Sequence, residues 1–494
     1  MGNLNKQMLI GGTWMIGAKW AVRGIGIIST LILVRLISPE GFGLIAMATV
    51  FFGLLNILGT FALDSALIYR KKPDVELYHS AWTFNALIGL VEALLLIALA
   101  RPIAHYYDEP RLELIIYVLS IGFVLNGIKN IGTVDFRKNL EFHKEFFYSS
   151  SQKIISFFVT IPLAFLLKSY WALIIGLIIG RAGECLVGYI MHSYRPKISL
   201  KGWRELINFS MWIYVGNLVN FFARRGPELI LGKVAGISEL GIYNIGREVA
   251  TIPTLEMISP INRALFPAFS TISDKLHKLR KSYNDVSSMI AMAVVPAGVG
   301  IAAVSETLVP VALGQSWMGA IPVIKLIGIA GAIRSLYAGS SSVFYALGKP
   351  KLQTLVATAW MIFLFPIAYY MGRAEGGVGV AKAILIAELL ITPVNIAMLV
   401  KALDMSILVW LSSIYRTVLA SATMYGLLYW YSSSMVLSEA RSFNSLVMEL
   451  LLQVLFGAGV YAISIMVLWF MAGRPEGAEE RLINIVNKIY KKYK

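Results

Sequence analysis

The sequence predicts an all-α integral membrane protein with about 14 transmembrane helices. The expected arrangement is two six-helix lobes, related by a parallel repeat, around a central cationic cavity, followed by two C-terminal helices. Three observations lead there. Apolar residues make up 57% of the 494 residues and charged residues only 15%, with mean hydropathy +0.70; a soluble domain carries about 25% charged residues. Stretches long enough to span a bilayer, about 20 apolar residues each, recur along the whole chain. Lysine and arginine between those stretches fall mostly on alternate loops.

The segments that meet the length test are 8–37, 42–68, 79–100, 112–130, 147–167, 170–191, 206–232, 238–269, 284–304, 320–346, 351–372, 377–400, 407–431 and 447–471. Period-2 alternation is absent, which argues against an outer-membrane barrel. The first segment is too long for a cleavable signal peptide. Cys185 is the only cysteine, so no internal disulfide is expected. With the N-terminus inside, 24 loop and tail Lys and Arg residues fall on the cytoplasmic side and six on the other. That bias predicts both termini inside and an even number of spans. It also accounts for the net charge of +16 without nucleic acid as a partner.

Two short stretches look alike. Leu31-Ile32-Leu33-Val34-Arg35 precedes Pro39-Glu40-Gly41-Phe42-Gly43-Leu44, and Leu229-Ile230-Leu231-Gly232-Lys233 precedes Ser238-Glu239-Leu240-Gly241-Ile242. The offset of six spans is even, so the halves enter the membrane in the same direction. The expected organisation is therefore an N-lobe at 1–200, a C-lobe at 201–402, two further helices at 403–471 and a basic cytoplasmic tail at 472–494.

Four segments carry polar residues three or four apart, hence on one helical face. In the first these are Gly12, Lys19, Arg23 and Thr30; in the second Thr49, Gly53, Asn56, Thr60 and Asp64; in the seventh Asn217, Asn220, Arg224 and Glu228; in the eighth Asn244, Arg247 or Glu248, and Thr251. A basic residue at mid-bilayer costs roughly 2.5–3.5 kcal/mol on insertion scales. Lys19 and Arg23 have no acid in their own helix, so they are read as holding an anion. Arg224 and Arg225 are read the same way, and Arg247, Lys325 and Arg334 as candidates for further basic surface. Arginine suits phosphate because its planar fork donates two parallel charge-assisted hydrogen bonds.

The competing reading is mutual neutralisation, with Arg224 paired to Glu228 at i,i+4, Arg247 to Glu256 or a neighbour, and Arg181 to Glu184. Asn56, Asn217, Asn220 and Asn244 would line the cavity. Asp64 and Glu228 are the candidates for coupling to a proton or sodium gradient, since a carboxylate in a low dielectric titrates near neutral pH. Pro253, Pro260 and Pro267 lie nearly on one face of the eighth segment, and each removes a backbone hydrogen bond and favours a kink. No HExxH, nucleophile elbow or phosphate-binding loop is present, and no loop is long enough for a catalytic domain. The expectation is a non-enzyme with no catalytic residue, no metal and no cofactor.

Longer stretches resemble a known family. LVRLISPEGFGL in the first hairpin, VDFRKNLEFHKEF at 134–146, LGKVAGISELGIYNIGREVATIP at 231–253 and the run from 261 to 327 are similar to Wzx-type polysaccharide and O-antigen flippases. These belong to the multidrug/oligosaccharidyl-lipid/polysaccharide exporter superfamily, and the likeness is to the colanic-acid-exporter branch. It covers about residues 5–470. The resemblance implies transfer of an undecaprenyl-pyrophosphate-linked oligosaccharide from the cytoplasmic to the periplasmic leaflet of an inner membrane, alongside polysaccharide polymerase machinery. It assigns the pyrophosphate to Lys19, Arg23, Arg224 and Arg225. Many relatives carry an aspartate in the seventh helix where this chain reads Gly226-Pro227-Glu228. A lipid II flippase is the nearest rival, and a multidrug exporter of the same superfamily a more distant one, since its cavity would be acidic or apolar.

Overall fold

The computed structural model describes residues 20, 22–59, 67–68, 74–201, 211–434, 442–475 and 477–481. Among the described residues the chain is helical, with no strand. Among the described residues, nine helices are long and apolar enough to cross a bilayer, with the run Pro350–Ala402 counted once, or ten if the bent pair Arg111–Gly127 and Ile131–Lys138 is one span. Large apolar side chains face outward, among them Leu166, Ile190 and Leu455 at 79%, 74% and 70% exposure. Water would penalise such a surface and lipid does not, so this is a multi-pass membrane protein.

The chain divides into two compact units, Met1–Gly241 and Ile242–Lys494. In the first, residues 22–36 form a helix that turns at Ser38 into the Pro39–Gly59 helix. The local sequence dictates this turn. The Ser38 hydroxyl accepts from the Gly41 N–H at 3.3 Å, and Pro39 takes a first-turn position where its missing N–H costs nothing. The helices Val75–Tyr106 and Arg111–Gly127 pack at two glycines: a methyl group on Gly89 would lie 2.6 Å from the Phe123 carbonyl oxygen, and one on Gly127 2.7 Å from that of Asn85. Phe142–Leu167 and Trp171–Met191 close in the same way, with Gly176 against Thr160 and Gly180 against Gln152. Lipid supplies no hydrophobic drive between helices, so close backbone approach at small residues does the packing. Met211–Val234 lies against Pro39–Gly59, where Gly53 meets the Phe221 ring.

In the second unit, Leu276–Ala312 and Ala320–Ser335 meet at Gly298 and Gly328, each facing the other's carbonyl oxygen at 2.7 Å from an added methyl. The 53-residue run Pro350–Ala402 is two helices, not one. Gly376 sits at φ 61°, ψ −137°, and the Trp360 indole N–H donates to Glu388 Oε1 at 3.0 Å. Twenty-eight residues of straight helix would separate those groups by roughly 40 Å, so the chain reverses at Gly376. Gly236–Ser270 is helical throughout, across all three of its prolines. Phe443–Met471 buries little beyond Gln453, Gly457, Ile465 and Trp469, and its Tyr461 hydroxyl donates to the Met292 carbonyl at 2.8 Å.

Candidate functional site

In the first unit, Arg23 is half-buried on the helix at 22–36. A methyl added to Gly24 or Gly26 meets nothing within 4 Å, so this stretch borders open space. Lys19 and Asp64 lie outside the described residues, as do the side chains of Asn217 and Asn220. Asn56 is half-buried on Pro39–Gly59. Thr49, on the same helix, turns its hydroxyl back to the carbonyls of Ile45 and Ala46, at 2.7 and 3.0 Å.

Arg224 and Arg225 are both exposed on Met211–Val234, but they differ in kind. Arg225 donates to both oxygens of Glu228, at 3.0 and 2.8 Å. Glu228 is 1% exposed. This corrects the expected Arg224–Glu228 pair: the i,i+3 neighbour takes the carboxylate, and Arg224 has no acidic partner among the described residues. It also places the ion-coupling candidate Glu228 inside an ion pair.

A second correction concerns Arg181. Glu184 pairs with Lys129 at 2.7 Å, and the Arg181 guanidinium lies over the Phe52 ring at 4.0 Å. Arg181 is therefore a further half-buried cation in the unit that holds Arg23 and Arg224. The sequence carried a signal for it, an intramembrane arginine, but the acid three residues on masked it.

In the second unit, Asn244 and Arg247 are half-buried on Gly236–Ser270, and the Thr251 hydroxyl caps the Arg247 carbonyl at 2.8 Å. Lys325 and Arg334, read from sequence as further basic surface, both have acidic partners. Lys325 pairs with Glu306 at 2.5 Å. Arg334 holds Glu388 through Nε at 2.8 Å and through a second guanidinium nitrogen. Glu388 is fully buried and also accepts from the Tyr337 hydroxyl at 2.7 Å and from Trp360. These pairs join residues 19 and 54 positions apart, beyond any helical-spacing rule. No cluster of metal-ligating side chains occurs among the described residues.

A family model described as "Polysaccharide biosynthesis protein" matches residues 32–322, well over half of the chain. The chain belongs to the polysaccharide biosynthesis protein family. The matched region begins in the first hairpin and takes in the whole of Met211–Val234 and Gly236–Ser270. Among relatives of this polysaccharide biosynthesis protein, the lipopolysaccharide biosynthesis protein WzxC of Escherichia coli (strain K12) is 27% identical over 405 residues, 81% of this chain and 82% of its own. The succinoglycan biosynthesis transport protein ExoT of Rhizobium meliloti (strain 1021) is 24% identical, over 65% of each chain. Among solved structures, the lipid II flippase MurJ in an inward closed conformation superposes with TM-score 0.72 at 15% identity, over 92% of this chain and 99% of that one. That last likeness establishes the fold alone.

Proposed function

We propose that this protein is a flippase. It moves an undecaprenyl-pyrophosphate-linked oligosaccharide from the cytoplasmic to the periplasmic leaflet of the inner membrane, by alternating access and without enzymatic chemistry. Both termini are cytoplasmic, and the lobes are those of the parallel repeat, at 1–200 and 201–402. Lys19, Arg23, Arg224 and Arg225 receive the pyrophosphate, the asparagines line the path of the sugar, and the polyprenyl tail stays in lipid. Polysaccharide polymerase machinery takes the product. Coupling to a proton or sodium gradient rests with Asp64, since Glu228 is committed to Arg225.

One observation carries this reading. Arg224 is exposed on a membrane-length helix without an acidic partner among the described residues. An uncompensated guanidinium in such a segment is expensive, and a phosphate group would offset that cost with charge-assisted bonds. Membership of a polysaccharide biosynthesis family and the similarity to WzxC support the choice of a glycan-bearing lipid.

The test is complementation. Cells lacking their own polysaccharide flippase should regain surface polysaccharide with the wild-type chain, and lose it again with Arg23→Ala or Arg224→Ala expressed at equal levels. Rescue of cells depleted of their lipid II flippase, with no rescue of polysaccharide export, would replace this reading with the rival one.

A further inference from the structure

The middle of the Trp171–Met191 helix carries a charge outside the proposed pyrophosphate set. Arg181 stands ten residues from each end of that 21-residue helix and is its one basic residue. That is about 15 Å of rise either way, too deep for the side chain to reach an interface by extending along the helix. Arg181 also points away from lipid. The exposed large apolar side chains of this helix are Ile179, Leu186 and Ile190. At about 100° per residue they fall roughly 140° to 180° around the helix from Arg181.

The guanidinium has a built seat. Its Cζ lies 4.0 Å over the Phe52 ring, and Phe52 stacks on Phe123 with ring centroids 4.0 Å apart and planes 12° from parallel. Gly122 leaves room beside it: a methyl there would lie 2.7 Å from Arg181 Nη1. A planar guanidinium over a ring keeps its N–H fork free to make paired bonds to an anion. No hydrogen bond or ion pair takes that fork among the described residues. Glu184, three residues on, is bound to Lys129 at 2.7 Å and acts on Arg181 only through space. The side chain is half-buried, so part of it remains accessible. The seat also lies at the depth of Arg224. Phe52 adjoins Gly53, where an added methyl would lie 3.3 Å from the Phe221 ring. Arg224 follows Phe221 by three residues, about 4.5 Å along its helix. All of these residues belong to the first unit.

We propose that Arg181 is a further binding residue for the pyrophosphate of the transported lipid, with the Phe52–Phe123 stack and Gly122 fixing the direction of its fork. Arg181 and Arg224 each lack a bonded acid among the described residues, and they come from different helices at one depth. A pyrophosphate has two phosphate groups to set against two such cations, and charge-assisted bonds to each. This role rests on the flippase reading and adds to it a residue from a helix outside the four polar stripes.

The experiment uses the full-length protein, purified and delipidated in neutral detergent. Its thermal midpoint is followed against undecaprenyl pyrophosphate and, as the uncharged comparison, undecaprenol, at matched ionic strength. The pyrophosphate should raise the wild-type midpoint, and the alcohol should raise it far less. Arg181→Met should weaken the apparent affinity for the pyrophosphate on the order of tenfold or more. Without lipid it should melt no lower than the wild type, because no acceptor loses a bond; a purely structural arginine would give a lower midpoint and an unchanged affinity. Gly122→Ala pushes the guanidinium from its seat while removing no charge, and should weaken binding in the same direction. It decides the matter if Arg181→Met does not fold. If Arg181→Met binds as the wild type does while Arg224→Ala is weakened, the role of Arg181 is overturned and the flippase reading stands. A wild type that responds to neither lipid, or to both alike, overturns both.

Discussion

Gly43 and Gly241 cross backbone to backbone. A methyl group on Gly43 would lie 1.9 Å from the Ile237 carbonyl oxygen, and one on Gly241 would lie 1.9 Å from the Pro39 carbonyl oxygen. Pro39 is four residues before Gly43 and Ile237 four before Gly241, so each glycine faces the same point on the other's helix. The contact is reciprocal, and it joins the two stretches that look alike in sequence, Phe42-Gly43-Leu44 and Leu240-Gly241-Ile242. The neighbouring atoms are main chain, which cannot swing aside.

Alanine at either glycine should therefore be costly. Overpacking of this kind costs typically 1–3 kcal/mol, against a gain of roughly 0.5–1 kcal/mol from replacing a helical glycine. We expect Gly43→Ala and Gly241→Ala each to lower the thermal midpoint of the purified protein. Gly459→Ala, where an added methyl meets nothing within 4 Å, should hold or raise it. Equal midpoints for Gly43→Ala and Gly459→Ala would show that the crossing is loose.

Arg224 and Arg225 are neighbours with different expected phenotypes. Arg224→Ala removes a cation that no described acid neutralises, and should leave the fold intact while reducing transport. A hydrogen bond to a charged group contributes about 1.5–3 kcal/mol, so export should fall on the order of tenfold or more. Arg225→Ala removes two charge-assisted bonds from the buried Glu228 carboxylate; its main effect should be a lower thermal midpoint, recovered in part by adding Glu228→Gln. Surface-polysaccharide yield and detergent melting curves separate the two. A melting loss in Arg224→Ala equal to that in Arg225→Ala would contradict the assignment.

What the sequence disclosed, and what it did not, follows from the range of each interaction. Most membrane segments were legible because apolar length is a local property: among the described residues nine helices are long and apolar enough to span, while Met211–Val234 and Gly236–Ser270, at segments 206–232 and 238–269, are not among those nine. The resemblance of the two hairpins was legible too, but its meaning, the crossing of Gly43 on Gly241, was not, since spacing gives no information on what lies across a helix pair. Partner choice was least legible. Glu228 sits three residues from Arg225 and four from Arg224, and both spacings bring side chains together. Lys325 with Glu306, and Arg334 with Glu388, are chosen by tertiary packing. The reversal at Gly376 left a visible trace, two apolar segments separated at Arg373 to Gly376.

In the Glu388 cluster the carboxylate is fully buried and the Arg334 side chain is 43% exposed. Removing one member, as in Glu388→Ala, leaves the Arg334 cation, the Tyr337 hydroxyl and the Trp360 indole without their shared acceptor. Breaking a fully buried pair costs about 3–5 kcal/mol, and water at the exposed part of Arg334 lowers that cost here, whereas replacing both charges by apolar groups of similar size is often near neutral. Glu388→Leu with Arg334→Met should thus melt closer to the wild type than Glu388→Ala alone. A double variant less stable than Glu388→Ala would mean that the charges do more than neutralise each other.

The turn after Val75–Tyr106 makes a pH-dependent tie within the first unit. Arg111 donates to Glu109 at 2.7 Å and pairs with Glu40 on the neighbouring hairpin at 2.5 Å. The hydrogen bonds from Arg111 hold the Glu109 carboxyl below its ordinary value, outweighing the opposing effect of burial. A folded-state value below the unfolded one stabilises the fold above the unfolded pKa, about 4.3 for glutamate, and that contribution is lost as pH falls through the lower, folded value. The melting temperature should therefore show no Glu109-dependent change between pH 8 and about 5, and an extra loss below about 4. Glu109→Gln should melt lower at neutral pH, with its deficit against the wild type shrinking as pH falls. A deficit that grows on acidification would reverse the sign and rule out Arg111 as the stabilising partner of Glu109.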